Sequence, residues 1–127
     1  MIEEPARIGL SQDANSYLDE MLDSINSAVD DSSRDLIKFD LYRLAVAIGV
    51  KRCEKSASIS SKTDSAFRVI ELDPDKALFI AVKSAKLNNI DEPIYRAVER
   101  LADYWIREFY SAYQKNMGKL PWADLLG

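Results

Sequence analysis

The chain has 127 residues, of which 47% are hydrophobic and 30% charged, and its formal net charge is −4. This length and composition predict a single domain over 1–127 that buries a core of its own, with no apolar run long enough to cross a membrane. The chain has no histidine and one cysteine, which excludes histidine-based triads, histidine metal sites, cysteine-rich zinc or iron–sulfur sites and an internal disulfide.

The N-terminal part predicts a leader, a short strand and an amphipathic helix. Residues 1–6 form a loose leader that is acidic and interrupted by Pro5. They lack the basic start and apolar run of a targeting signal, so a cytoplasmic protein is expected. Residues 7–10 alternate as in a brief strand or an extended arm. Ser11 is typical of an N-cap, and apolar residues then recur at helical spacing over about 12–29, opposite an acidic face.

A second helix is predicted from about 33 to 48, because Ser32 and Asp35 resemble a capping box and an apolar stripe follows them. Its C-terminal half is apolar nearly all round, which predicts deep burial or an interface. Gly49 is typical of the residue that follows a helix. This helix and glycine also resemble the first half of a helix-turn-helix motif, but the apolar positions of a recognition helix are missing after them.

The middle of the chain predicts a loop, a short strand and a third helix. Residues 51–65 are polar and rich in serine and lysine, and a loop of this length suggests function or mobility. Residues 66–72 have the composition of a second short strand. Asp73 followed by Pro74 then predicts the start of a helix that ends near residue 87.

The longest helix is predicted from Asp91, as its N-cap, to Lys115, and half of the aromatic residues of the chain lie in it. Such a stripe is typical of the centre of a core, although part of it can also face a partner chain. The segment 118–127 is an apolar tail broken by Pro121. We expect Trp122 in this tail to pack either on its own domain or on a partner.

Carboxylate pairs are the remaining candidates for chemistry. Glu99 and Asp103 are one helical turn apart and could share a proton or a cation, but each has an arginine at neighbour spacing, which favours surface ion pairs. Asp73 and Asp75 are explained as helix caps. Cys53 follows two basic residues, but no base accompanies it. We therefore expect no enzyme, with no catalytic residue, no metal site and no cofactor, although a carboxylate mechanism is left open.

Two sets of residues are candidate contact sites. The first is a protein interface for self-association as a homodimer or larger assembly, and it consists of Tyr95, Trp105, Phe109, Tyr110, Tyr113 and Trp122. The second would contact nucleic acid through the basic stretch 51–68, and it consists of Lys51, Arg52, Lys55, Lys62 and Arg68. Nucleic acid is the less favoured partner, since the whole chain is acidic. No membrane partner is expected.

The segment Arg7-Ile8-Gly9-Leu10-Ser11, which opens onto an amphipathic helix, resembles the start of several small bacterial accessory proteins. These include the E component of DNA sulfur-modification systems and ribbon-helix-helix repressors. Residues 39–51 and 99–103 are similar to uncharacterised short proteins of mobile gene cassettes. The resemblance implies a bacterial, mobile-element setting, and it implies no activity and no functional residue.

Together these patterns predict a mainly α protein, a compact bundle of about four helices with one or two short strands near 7–10 and 66–72. The leading hypothesis for function is a non-enzymatic interaction or accessory protein. A nucleic-acid-binding regulator that uses the basic stretch is the first alternative, and a small-ligand-binding helical protein is the second.

Overall fold

The computed structural model describes residues 3–27, 38–52 and 63–118. Within these ranges the chain forms a compact, mainly α fold, as the sequence predicts. The elements follow in the order β1 (Arg7–Ser11), α1 (Gln12–Ser27), α2 (Lys38–Arg52), β2 (Thr63–Arg68), α3 (Val69–Leu72), α4 (Ala77–Ser84) and α5 (Ile94–Lys115). None of the helices in these ranges combines the length and hydrophobicity needed to cross a membrane.

The two strands form one antiparallel sheet. Arg7 lies opposite Arg68 and Ser11 opposite Thr63, with an irregularity between Ile8 and Leu10. The strand predicted at 7–10 is therefore confirmed. The strand predicted over 66–72 is wrong in its second half, because the chain turns into α3 after Arg68.

The first two helices differ from their predicted bounds. The helix predicted over 12–29 is observed to residue 27, and the helix predicted to end at 48 continues to Arg52. Lys51 and Arg52, expected in a loop, are therefore helical, and 63–65 belong to β2. Residues 28–29, 33–37 and 53–62 lie outside the described residues.

Gly49 lies inside α2 and is buried, which corrects its expected place after the helix. A Cβ added to it would come within 2.9 Å of Cδ1 of Trp105 and 3.0 Å of Cδ2 of Leu101. Glycine is therefore required for the close approach of α2 to α5 rather than for ending α2.

The helix α5 is the centre of the fold, as predicted. It contacts α1, α2, α4 and β1, and most of its residues between Ile94 and Phe109 are buried. It begins at Ile94, later than the predicted N-cap Asp91, which has a φ of 64°. Pro93 occupies the cap position and offers no side-chain hydrogen bond. A carboxylate from the leader supplies the cap instead, as described below.

The helix α4 is shorter than predicted, because it begins at Ala77 and ends at Ser84. Pro74 lies in the turn before it rather than at its first position. Lys76 connects this turn to α4 in a left-handed conformation, with φ 60°. The predicted capping role of Asp73 is confirmed, since its carboxylate accepts hydrogen bonds from the backbone N–H groups of Leu78 and Phe79 at 3.0 and 3.1 Å.

Candidate functional site

One edge of β1 pairs with β2, and two buried carboxylates of α5 bind the backbone N–H groups of its other edge. Oε2 of Glu99 accepts the N–H of Gly9 at 2.8 Å, and Oδ2 of Asp103 accepts the N–H of Ser11 at 2.6 Å. Four helical residues rise about 6 Å, and two strand residues span about 6.6 Å, so the spacings match. Both carboxylates are only 4% exposed, so their predicted position on a solvated face is wrong.

The second oxygens of these carboxylates accept from arginines at the helix surface. Arg96 lies 3.1 Å from Oε1 of Glu99, and Nε of Arg107 lies 2.9 Å from Oδ1 of Asp103. Each carboxylate thus accepts one backbone N–H and one guanidinium, which stabilises its charge. The pair of carboxylates therefore fixes β1 on α5.

Tyr42 of α2 completes this buried cluster. Its hydroxyl donates to the carbonyl oxygen of Gly9 at 3.0 Å. Burial, and then the negative charges of Glu99 and Asp103, raise the pKa of Tyr42 well above the ordinary value of a tyrosine. Gly9 is therefore held through both its N–H and its carbonyl, and the hydroxyl stays protonated as a structural donor.

A groove of about 570 Å³ lies between the leader, the end of β2 and the first turn of α5. Its volume is in the range of sites that hold small groups or side chains. Its lining is mostly apolar and consists of Glu4, Pro5, Ala6, Arg68, Val69, Ile70, Asp73, Pro74, Lys76, Phe79 and Tyr95. This groove is the candidate functional site.

Both carboxylates in the groove are occupied by other parts of the chain. The oxygens of Glu4 accept the N–H groups of Ile94 and Tyr95 at 2.8 and 2.9 Å, which caps α5 from the leader. Asp73 caps α4 and also accepts the hydroxyl of Tyr95 at 2.8 Å. Burial and this hydrogen bond raise the pKa of Tyr95 above the ordinary tyrosine value. Both carboxylates of the groove therefore cap helices of their own chain.

The mouth of the groove is apolar with charges of both signs. Ile70 is 71% exposed there, and Phe79 is half-buried. The ammonium groups of Lys76 and Lys83 lie 6.0 and 5.9 Å from the centre of the Phe79 ring. Arg68 forms an exposed ion pair with Glu71 at 3.2 Å. Ile70 therefore extends the apolar lining of the groove to its exposed edge, and a contiguous apolar surface of this kind is a candidate contact surface.

A smaller cavity of about 360 Å³ lies beside the same 73–75 turn. Arg43 lines it and donates to the carbonyl oxygens of Leu72 and Glu71 at 2.8 and 3.3 Å. This arginine therefore holds the end of α3 against α2.

The predicted interface residues are mostly inside the chain's own core. Phe109 is fully buried, and Tyr95 and Trp105 are nearly so, which corrects their expected availability to a partner. Only Tyr110 and Tyr113 are half-buried, and Tyr110 stacks on Tyr17 of α1 with ring centres 4.0 Å apart. The sixth candidate, Trp122, lies outside the described residues.

The predicted nucleic-acid residues that the structure describes lie far apart. Lys51 and Arg52 are exposed in the last turn of α2. Arg68 lies near the other end of that helix, because the ring of the preceding Phe67 packs 5.4 Å from that of Phe39 in the first turn of α2. Phe39 is about 20 Å from Arg52 along α2. Lys55 and Lys62 fall outside the described residues. The three described candidates, Lys51, Arg52 and Arg68, therefore form no single basic patch.

Two groove residues, Tyr95 and Arg68, are candidate contact residues from the sequence, and the others are not predicted. Ile70 was assigned to a strand, and Glu4 was placed in a loose leader. The backbone N–H of Ile94 that Glu4 caps lies 90 positions away in the sequence, and no local pattern indicates such a cap. The only signal was the pair of Asp73 and Pro74, which marks the turn but not the groove.

The part of the chain that the structure describes contains no group of three or more histidine, cysteine, aspartate or glutamate side chains placed to hold a metal. The resemblance to accessory proteins of mobile gene cassettes stays a prediction. Comparison with protein-family models, with curated proteins and with solved structures returned no match for this chain.

Proposed function

We propose that this is a non-enzymatic interaction protein that associates with a second copy of itself through the groove. The observation that carries the proposal is the exposure of Ile70, 71% open to solvent at the edge of an apolar groove of about 570 Å³. Single exposed apolar side chains are ordinary, but Ile70 continues into an apolar groove and so enlarges one contiguous apolar patch, and such patches mark interaction sites.

The occupied carboxylates support a non-enzymatic role. Glu99 and Asp103 accept backbone N–H groups of β1, Glu4 caps α5 and Asp73 caps α4. A general acid or base needs an atom within reach of a substrate proton. Each of these four carboxylates instead has backbone donors of its own chain.

The charges at the mouth of the groove favour a second copy of this chain as the partner rather than a polyanion such as a nucleic acid. The exposed charged residues there include the cations Arg68, Lys76 and Lys83 and the anion Glu71, which pairs with Arg68. A nucleic acid would meet the carboxylate of Glu71 and a chain whose net charge is −4, and both oppose its binding. A surface that carries charges of both signs can place its cations against anions of a second copy.

Hydroxyl-radical footprinting at increasing protein concentration tests this proposal. We expect oxidation of Ile70 and Phe79 to fall as the concentration rises, because the second copy covers them. Ile90 is 94% exposed and lies outside the groove, so its oxidation serves as the matched internal control and should stay constant. A ratio of Ile70 oxidation to Ile90 oxidation that stays the same at every concentration would overturn the proposal.

A further inference from the structure

We propose that the groove of each copy receives residues 119–127 of the other copy, an inference that rests on the proposed self-association. The sequence of this segment is Lys-Leu-Pro-Trp-Ala-Asp-Leu-Leu-Gly. It combines bulky apolar side chains with one lysine and one aspartate. An apolar groove with a mouth of mixed charge suits such a segment, since it can bury Trp122 and still pair Asp124 with a cation.

The length of α5 separates Trp122 from the groove of its own chain. Tyr95 lines the groove at the first turn of α5, and Tyr113 lies about 27 Å further along the helix. The N–H of Gly118 donates to the carbonyl of Tyr113, so the segment begins at that far end. Trp122 is four residues beyond Gly118 and reaches at most about 14 Å. It therefore cannot enter the groove of its own chain.

In a dimer whose two-fold axis sets the two α5 helices antiparallel, the tail of one copy no longer has to span the length of α5 to reach a groove. The end of α5 in one copy then lies beside the start of α5 in the other, next to its groove. Both tails make the same contact, so the assembly closes as a dimer and leaves no free groove for a third chain. The aromatic ring of Trp122 would pack against Phe79, Val69 and Ile70 at the mouth.

The test uses two full-length variants. The tail variant, Trp122→Ser with Leu125→Ser, keeps an intact groove, and the groove variant, Ile70→Asp, keeps an intact tail. We expect each to raise the dimer dissociation constant by about a hundredfold or more, as removal of a central apolar anchor does. Ile90→Asp is the matched control, and its dimer should equal that of the wild type. Circular dichroism and urea midpoints establish that all variants are folded.

Mixing the two variants gives the decisive result, measured by sedimentation velocity. Each variant alone should sediment as a monomer, whereas the mixture should form a dimer through one intact groove and one intact tail, weaker than the wild type. A mixture that stays monomeric shows that the tail does not bind in trans and overturns the inference. A tail variant that still dimerises, while Ile70→Asp does not, also overturns it but leaves the proposed function intact. A monomeric wild type overturns both.

Discussion

The N–H of Gly9 donates to Oε2 of Glu99 at 2.8 Å, and this bond joins a strand near the start of the chain to the middle of the longest helix. The first edge of β1 pairs with β2, and the second edge is held by carboxylates of α5 instead of a third strand. An exposed strand edge promotes unwanted pairing, and this arrangement closes it with side chains.

Glu99→Ala should lower the free energy of unfolding by about 2–3 kcal/mol, because it leaves the buried N–H of Gly9 without its acceptor. Urea denaturation followed by circular dichroism measures the loss. Glu108→Ala, on the exposed face of the same helix, is the matched control and should change stability by less than about 0.5 kcal/mol. Equal effects of the two substitutions would contradict the buried role of Glu99.

Glu4→Ala should lower the free energy of unfolding by about 1 kcal/mol, because the N–H groups of Ile94 and Tyr95 lose their capping carboxylate. Hydrogen exchange of these two amides should accelerate more than that of amides in the middle of α5. The neighbouring Glu3 is exposed, and Glu3→Ala should leave both quantities unchanged. Unchanged exchange in Glu4→Ala would contradict the cap.

Gly49→Ala has two opposing effects on the free energy of unfolding, one from helix propensity and one from packing. Alanine favours a helix interior by about 1 kcal/mol over glycine. The added Cβ would, however, lie 2.9 Å from Trp105 and 3.0 Å from Leu101, and overpacking of this kind costs about 1–3 kcal/mol. We expect a net destabilisation of about 1 kcal/mol in a urea titration. A stabilised Gly49→Ala protein would show that α2 and α5 are further apart than described.

Stability should fall at alkaline pH through Tyr42. Its raised pKa in the folded protein means that its contribution is complete below about pH 10, where the unfolded tyrosine is also protonated. Above that pH only the unfolded chain ionises, and stability declines by up to about 1.4 kcal/mol per pH unit. Tyr42→Phe lacks this contribution. It should be less stable than the wild type at pH 8, and the gap should narrow above pH 10. Parallel curves from urea titrations at pH 8–11 would contradict this.

The elements that the sequence predicted well are those with strong local periodicity. The helix α5 repeats apolar residues at helical spacing over its whole length, and Ile8 and Leu10 alternate as the strand β1 requires. The same local reasoning placed Glu99 and Asp103 on the surface, because arginines at neighbour spacing normally mark a solvated face. Their true partners are backbone groups of β1, about ninety positions away, which helical spacing cannot reveal.

The groove could not be predicted for a related reason. Its walls come from the leader, the start of α3, the turn before α4 and the first turn of α5, and no two of them form a local pattern. Ile70 has the composition of a strand residue, and only the turn into α3 after Arg68 exposes it. Phe79 is not predicted because it lies off the stripe of Leu78 and Val82, which are the buried residues of α4.

Sedimentation equilibrium of the wild-type protein over a wide concentration range tests self-association through the groove most directly. We expect a mass that rises from the chain mass of 14.4 kDa to twice that value, with the transition moved to much higher concentration by Ile70→Asp and unmoved by Ile90→Asp. A mass of 14.4 kDa at every concentration, or a dimer that Ile70→Asp and Ile90→Asp weaken equally, would contradict it.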